Sequence, residues 1–260
     1  VSYKVAEATG VEVREVNGKV YGEVINPQWL MHKSYKWDEV VSFSSKTRAG
    51  ANYDHVRKCL VYYNRDSIYV YDFINKDSRK QAFDFPCPVE PYLGTSFVNP
   101  CDSLLYVYEP YVEDISSSAP TMAAYDIDAN TWTVKSEDTL PIRFHHHSTY
   151  LDEVRKKFVF FGGFGNMIYN GDFYSCDLDN CQWKKDTLPS GDRIYPRYFT
   201  SLGYSSSEDA LYVFGGMGNE SGEQIVGRNY FYDLYRLDLN TGVNEKIWGK
   251  DIVLDWKEEN

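Results

Sequence analysis

The chain has 260 residues, enough for a substantial core in a single all-β domain, and 17% of them are aromatic, with 23 Tyr against 4 Met, a bias toward pleated strand surfaces rather than helix interfaces. Its formal net charge of −11 repels polyphosphate, and no Lys/Arg-rich stripe reverses that field locally, so nucleic acid is not an expected partner. Apolar runs are strand-length, well short of the roughly 18 residues of a membrane helix, and no membrane insertion is expected within the chain.

Residues 1–53 open with Val1 and show no charged region followed by an apolar one, so a signal segment is either absent or already removed. Within them Val11-Glu12-Val13-Arg14-Glu15-Val16 alternates, Asn17-Gly18 follows, and Lys19-Val20-Tyr21-Gly22-Glu23-Val24 continues. Alternation on both sides of Asn-Gly predicts a hairpin.

From residue 54 the chain repeats. The first unit, 54–90, carries only Tyr71-Asp72-Phe73-Ile74-Asn75. In the second, 91–141, Tyr92–Phe97 leads to Leu105-Tyr106-Val107-Tyr108, then to Tyr125-Asp126-Ile127-Asp128 and Trp132. The third, 142–190, has Phe144–Thr149, then Phe158-Val159-Phe160-Phe161 running into Gly162-Gly163, then Cys176-Asp177-Leu178-Asp179 and Trp183. The fourth, 191–250, repeats this with Arg197–Leu202, Leu211-Tyr212-Val213-Phe214, Gly215-Gly216 and Leu237-Asp238-Leu239-Asn240-Thr241-Gly242. The apolar runs at 105, 158 and 211 start 53 residues apart. Residues 251–260 are left as a tail or the start of a further unit.

Each unit thus predicts strand a, strand b ending at the glycines, a loop, strand c ending in Asp, a turn, and strand d. Short polar side chains suit the turns because they bond their own backbone and tolerate left-handed conformations. Four short antiparallel strands at a period near 50 mark a propeller blade, and one such sheet buries its faces only by stacking on neighbours. The hydrophobic strand, Gly-Gly, the aromatic with Asp, and a Trp about six residues on resemble the kelch repeat, most completely over 142–250. The longer loop after Gly215-Gly216 is similar to kelch segments of large bacterial surface or sensor proteins. The resemblance implies an all-β propeller of four-stranded antiparallel kelch-type blades over 54–250. Residues 1–53 then supply a fifth blade or closing strands; because kelch propellers usually carry six or seven blades, an incomplete ring cut from a longer protein is the other reading.

No catalytic constellation emerges. His145-His146-His147 invites a metal, but adjacent strand residues point to opposite faces, so only His145 and His147 can share a site. No Asp, Glu or Cys recurs at matching spacing, and a packing or surface role is expected, with no metal and no cofactor. Kelch-like enzymes such as galactose oxidase and the sialic acid mutarotases are not matched residue by residue. Gly162-Gly163-Phe164-Gly165-Asn166 follows a strand but opens no helix, so it is not a phosphate cradle. Ser148 and Ser201 read as strand residues. Of five cysteines, Cys176 and Cys181 flank a hairpin and Cys87 and Cys101 lie in successive loops; either pair can bridge, while Cys176 also stands where other units place Tyr125 and Leu237, a packing position.

In a propeller the b–c loops and the crossings from one blade to the next emerge on one face. The b–c loops are 109–120, 164–171 and 217–228, and the crossings carry Arg143, His145, Arg193, Tyr195 and Arg197. Arg forks bind oxyanions and aromatic rings stack on apolar sugar faces. The expected function is therefore a non-catalytic binding propeller for a protein, peptide or carbohydrate ligand at this rim, within a larger exported bacterial protein, periplasmic or at the cell surface. The alternative is a sugar-active propeller enzyme of mutarotase-like or oxidase-like type.

Overall fold

The computed structural model describes residues 11–16, 19–24, 39–90, 93, 95–113, 119–186 and 189–249, in two compact units, Val1–Phe43 and Ser44–Asn260. In the first, Val11–Val16 and Lys19–Val24 pair antiparallel, Val16 opposite Lys19 and Val11 opposite Val24, the hairpin that alternation dictates. Its turn residues Asn17-Gly18 and the tail 251–260 lie outside the described residues.

The second unit holds four blades of four antiparallel strands each, the last of them extended by Ser190–Gly191, which pairs parallel to its outer strand. Blade I is Ala49–Asp54, Cys59–Asn64, Ser67–Asp72 and Asp77–Ala82. Blade II is Ser96–Asn99, Leu104–Tyr108, Met122–Asp126 and Thr131–Ser136. Blade III is Ser148–Asp152, Lys157–Phe161, Phe173–Asp177 and Trp183–Lys185, and blade IV is Ser201–Ser205, Ala210–Phe214, Asp233–Asp238 and Val243–Gly249. The boundary therefore falls between Phe43 and Ser44 rather than at 53: Ala49–Asp54, placed by the sequence reading in the N-terminal segment, is strand a of blade I. Only its weak periodicity hid it. Strand a of blades III and IV also starts later than the repeats suggest: Phe144–His147 is a lead-in, and Arg197–Tyr198 is a separate two-residue strand that pairs outside the blade sheet.

The polar turns are built as their side chains require. At the a–b turns Asp54 Oδ1 accepts the amides of Val56 and Arg57, and Asp152 Oδ1 that of Arg155; left-handed Lys58, Ser103, Lys156 and Asp209 close these turns. At the c–d turns Asp72, Asp126 and Asp238 each accept two successive amides, and Asp177 accepts one.

Strand alternation gives each blade two apolar faces, and three interblade cores result. Between blades I and II, Val61, Tyr63 and Ile68 meet Leu105, Val107 and Tyr125. Between II and III the core is aromatic: Phe97 stacks on Tyr106 at 4.9 Å and on Phe158 at 4.2 Å. Between III and IV, Phe161 and Phe173 meet Leu211, Val213, Tyr235 and Leu237. Two a–b arginines add ionic links across blades. Arg57 bonds Asp54 and reaches Asp128 of blade II at 2.9 Å, and Arg155 bonds Asp152 and reaches Asp209 of blade IV at 2.5 Å. All five cysteines carry free thiols, and Cys176 packs at 0% exposure in the II–III core, the packing role its position suggested.

Candidate functional site

The upper face, where b–c loops and blade crossings emerge, is organised by the double glycines. Gly162 and Gly215 take φ 75° and 63°, and Gly163 and Gly216 take 93° and 102°, a left-handed pair that turns strand b outward. Gly162 N–H donates to Asp172 O at 3.3 Å and Gly215 N–H to Asp233 O at 3.1 Å, so the two blades superpose as the 53-residue period requires. A Cβ on Gly162 would sit 2.5 Å from Arg197 O of the neighbouring blade; the glycine is needed for close approach as well as for its dihedral.

The b–c loops of blades III and IV are ordered by backbone pairing. In blade III Phe164–Gly165 pairs with Ile168–Tyr169 through Asn166 and Met167, both at positive φ. In blade IV Met217–Gly218 pairs with Asn229–Tyr230 on one side and with Arg197–Tyr198 on the other, and a 3-10 turn, Gln224–Val226, caps the loop. Tyr169 N–H donates to Gly222 O at 2.7 Å and Gln224 N–H to Met167 O at 3.1 Å. The two loops are thereby tied together, and they hold Met167, Ile168, Ile225 and Val226 at 66%, 44%, 85% and 65% exposure.

Inward of these loops, His146 and Phe199 occupy equivalent left-handed positions, φ 54° and 53°, and their rings lie 4.2 Å apart. His146 also stacks on Phe164 at 5.6 Å, Phe164 meets Tyr198 at 4.7 Å, and Arg228 Nη1 donates to the Tyr198 hydroxyl at 3.0 Å. An aromatic platform with a cation at its edge results.

The expected rim residues divide. Arg143 lies over the Tyr111 ring at 5.1 Å and donates to Glu113 at 2.9 Å. Arg193 is exposed, donates to Glu220 O at 3.1 Å and lies over the half-buried Tyr195 ring at 5.6 Å. His145 pairs its backbone with Phe164, and burial, with Arg143 and His146 nearby, lowers its pKa. These four sit on the upper face. Arg197 does not present its guanidinium to a ligand: it is 0% exposed and paired to Asp233 through two bonds of 2.6 and 3.1 Å. It also donates to Tyr195 O and Gly215 O and lies 4.0 Å from the Phe231 ring. In the 53-residue register it replaces Phe144, a core residue, and sequence reasoning missed this because an Arg in a crossing reads as solvated.

Within the histidine run, His147 is structural. The left-handed His146 breaks strand alternation, so the two-face argument fails there. His147 donates Nδ1–H to Phe144 O and accepts at Nε2 from Tyr108 OH, 2.7 Å away, and its enclosure pushes the pKa down to about 4. Among the described residues no group of three or more His, Cys, Asp or Glu is arranged to hold a metal. The platform residues Phe164 and Phe199 and the apolar pair Ile225-Val226 were not singled out from sequence. The available signal was an apolar pair between Gly222 and Gly227, where a loop has no core to serve.

No curated protein matches the sequence. Among solved structures 234 chains match; one, described as "Structure of YjhT", matches with a TM-score of 0.51 at 11% identity over 78% of this chain and 67% of that one, a likeness of fold. The family model described as the KLHDC2/KLHL20/DRC7 Kelch-repeats domain matches residues 94–252, more than half of the chain. Kelch propellers are for the most part interaction modules that bind protein partners. With its glycine-ended strands, four-stranded blades and this match, the chain belongs to the kelch-repeat β-propeller family.

Proposed function

We propose that this propeller binds a protein or peptide partner through the upper face of blades III and IV, without catalysis. The observation that carries the reading is the exposed apolar surface of Met167, Ile168, Ile225 and Val226, held on two loops bonded to each other. Apolar surface displayed on pre-ordered backbone is costly to leave in water and loses little entropy on binding. The aromatic platform of His146, Phe164 and Phe199 extends it inward, and Arg143, Arg193 and Arg228 border it. A ligand with apolar side chains and a carboxylate fits that combination in an acidic protein.

Selection of displayed peptides on the 260-residue chain tests this, beside a panel of immobilised glycans. Selected peptides should lose at least about tenfold in affinity on Ile225→Ser with Phe199→Ala, a loss typical of central apolar contacts, with little change in thermal unfolding. Peptides that bind the variant equally, or glycan binding or sugar turnover without peptide binding, would overturn the assignment.

A further inference from the structure

Blades II and III meet through a closed stack of rings: buried Phe97 lies on Tyr106 and on Phe158 with interplanar angles of 5° and 9°. Each of the three has a counterpart 53 residues on, at the interface of blades III and IV, where Phe97 becomes Tyr150, Tyr106 becomes Val159 and Phe158 becomes Leu211. Cross-strand pairing keeps the same register, Phe97 opposite Tyr106 and Tyr150 opposite Val159. From strand d, Trp183 stands opposite Cys176 and packs into the II–III core, whereas Asn244 stands opposite Leu237 in blade IV. Two of the three stacked rings and the indole are thus exchanged for smaller groups.

The interface does not close over the difference. A recess of ≈ 430 Å³ lies between blades III and IV beside their a–b and c–d turns, lined by Tyr150, Val159, Phe173, Leu211, Leu237 and Leu239. Tyr150 and Val159 are half-buried where Phe97 and Tyr106 are enclosed, and the Tyr150 ring meets Tyr204 at 5.0 Å instead of a stack. The carboxylates at the border are committed to the protein: Asp152 to Arg155 at 3.0 Å, Asp186 to the Ser175 hydroxyl at 2.8 Å, and Asp238 to the amides of Asn240 and Thr241. Lys157, which also lines the recess, takes the place of Leu104 and brings a cation that favours a π face over a saturated one. Interiors are close-packed, so a void bounded by apolar side chains forfeits contacts that a ligand of matching shape restores.

We propose that this recess is a binding site for a flat aromatic group, which enters beside Tyr150 and takes the place that rings fill one blade earlier. Its volume lies within the range of about 300–1,000 Å³ found for small-molecule sites, and apolar cavities left by smaller core side chains take up aryl compounds. The recess shares no residue with the Met167, Ile168, Ile225 and Val226 surface, and the inference does not depend on it.

Methyl-resolved NMR titration of the full chain with 2-naphthol tests it. The expected result is saturable shifts at the Val159, Leu211, Leu237 and Leu239 methyls with Ile225 and Val226 unmoved, and severalfold weaker binding of the saturated decahydro-2-naphthol. Val159→Tyr, which restores the residue of blade II, should abolish these shifts while the ligand-free melting temperature stays equal or rises, since the added ring fills an existing void. Should that variant not fold, the comparison of the two alcohols on the native chain decides. N-acetyltryptophanamide and a Trp-bearing pentapeptide separate the sources: tighter binding of the peptide assigns the ring to a protein side chain, equal or weaker binding to a free small molecule. No saturation up to the solubility limit of 2-naphthol, shifts spread over the methyls of all four blades, equal binding of the saturated alcohol, or unchanged binding in a folded Val159→Tyr would refute the proposal. None of these outcomes bears on the upper-face surface of blades III and IV.

Discussion

Blades III and IV are built on one register and differ in what they place at equivalent points. Phe144 plugs the top of blade III against Phe160 and Tyr174, with ring distances of 5.0 and 4.7 Å. Its counterpart Arg197 does the same for blade IV with a charge, neutralised by Asp233 and covered by Phe231. The period conserves backbone geometry while leaving the chemistry of the plug open. It follows that a residue's place in the repeat predicts burial better than its polarity does.

The largest effect that can break this comparison is at Arg197. Arg197→Ala leaves Asp233 buried without its partner and should cost about 3–5 kcal/mol in urea unfolding, the usual penalty for half of a buried pair. Arg143→Ala, whose partner Glu113 is 82% exposed, should cost no more than about 1 kcal/mol. Similar losses in both would mean that Arg197 is solvated and the equivalence with Phe144 fails.

A smaller effect separates the two first glycines. Gly215→Ala meets only Phe231 O at 3.5 Å and should cost about 1–2 kcal/mol for the left-handed conformation. Gly162→Ala pays the same and also drives its Cβ to 2.5 Å from Arg197 O, so its midpoint of denaturation should fall further. Equal shifts would show that blade IV does not press on blade III at this point.

His147 supplies the gentlest test, through pH. Its folded pKa of about 4 lies below the roughly 6.5 of an unfolded histidine, so the unfolded chain takes up the proton first as pH falls. The stability contributed by the neutral ring is complete above about pH 6.5 and is lost as pH drops toward 4. Melting temperature should fall across that window in the native chain, and the fall should be shallower in His147→Gln; identical slopes would remove His147 from the account.

Much of the blade was legible because it rests on local rules. Phe158–Phe161 and Leu211–Phe214 alternate and end in paired glycines, Asp126, Asp177 and Asp238 announce turns, and Val11–Val24 announces a hairpin. The site was half legible. Arg143, His145, Arg193 and Tyr195 lie on the face to which topology alone assigns them, since crossings and b–c loops share one edge. Missed were Phe199 and Ile225-Val226, which have no periodic neighbours to define a face.

From sequence alone follow the fold class, the blade order and the segments that emerge at the upper edge, because strand period and turn chemistry act over a few residues. The fate of individual side chains at that edge was decided only by tertiary structure. Arg197 is buried because Asp233, 36 residues further on, arrives to neutralise it; His147 is held because Tyr108 of another blade meets it. Ile225 stays exposed because the loop beneath it bonds to its neighbour and leaves the side chain no core to enter. Each outcome depends on a partner distant in the chain, and desolvation sets its cost only once that partner is in place.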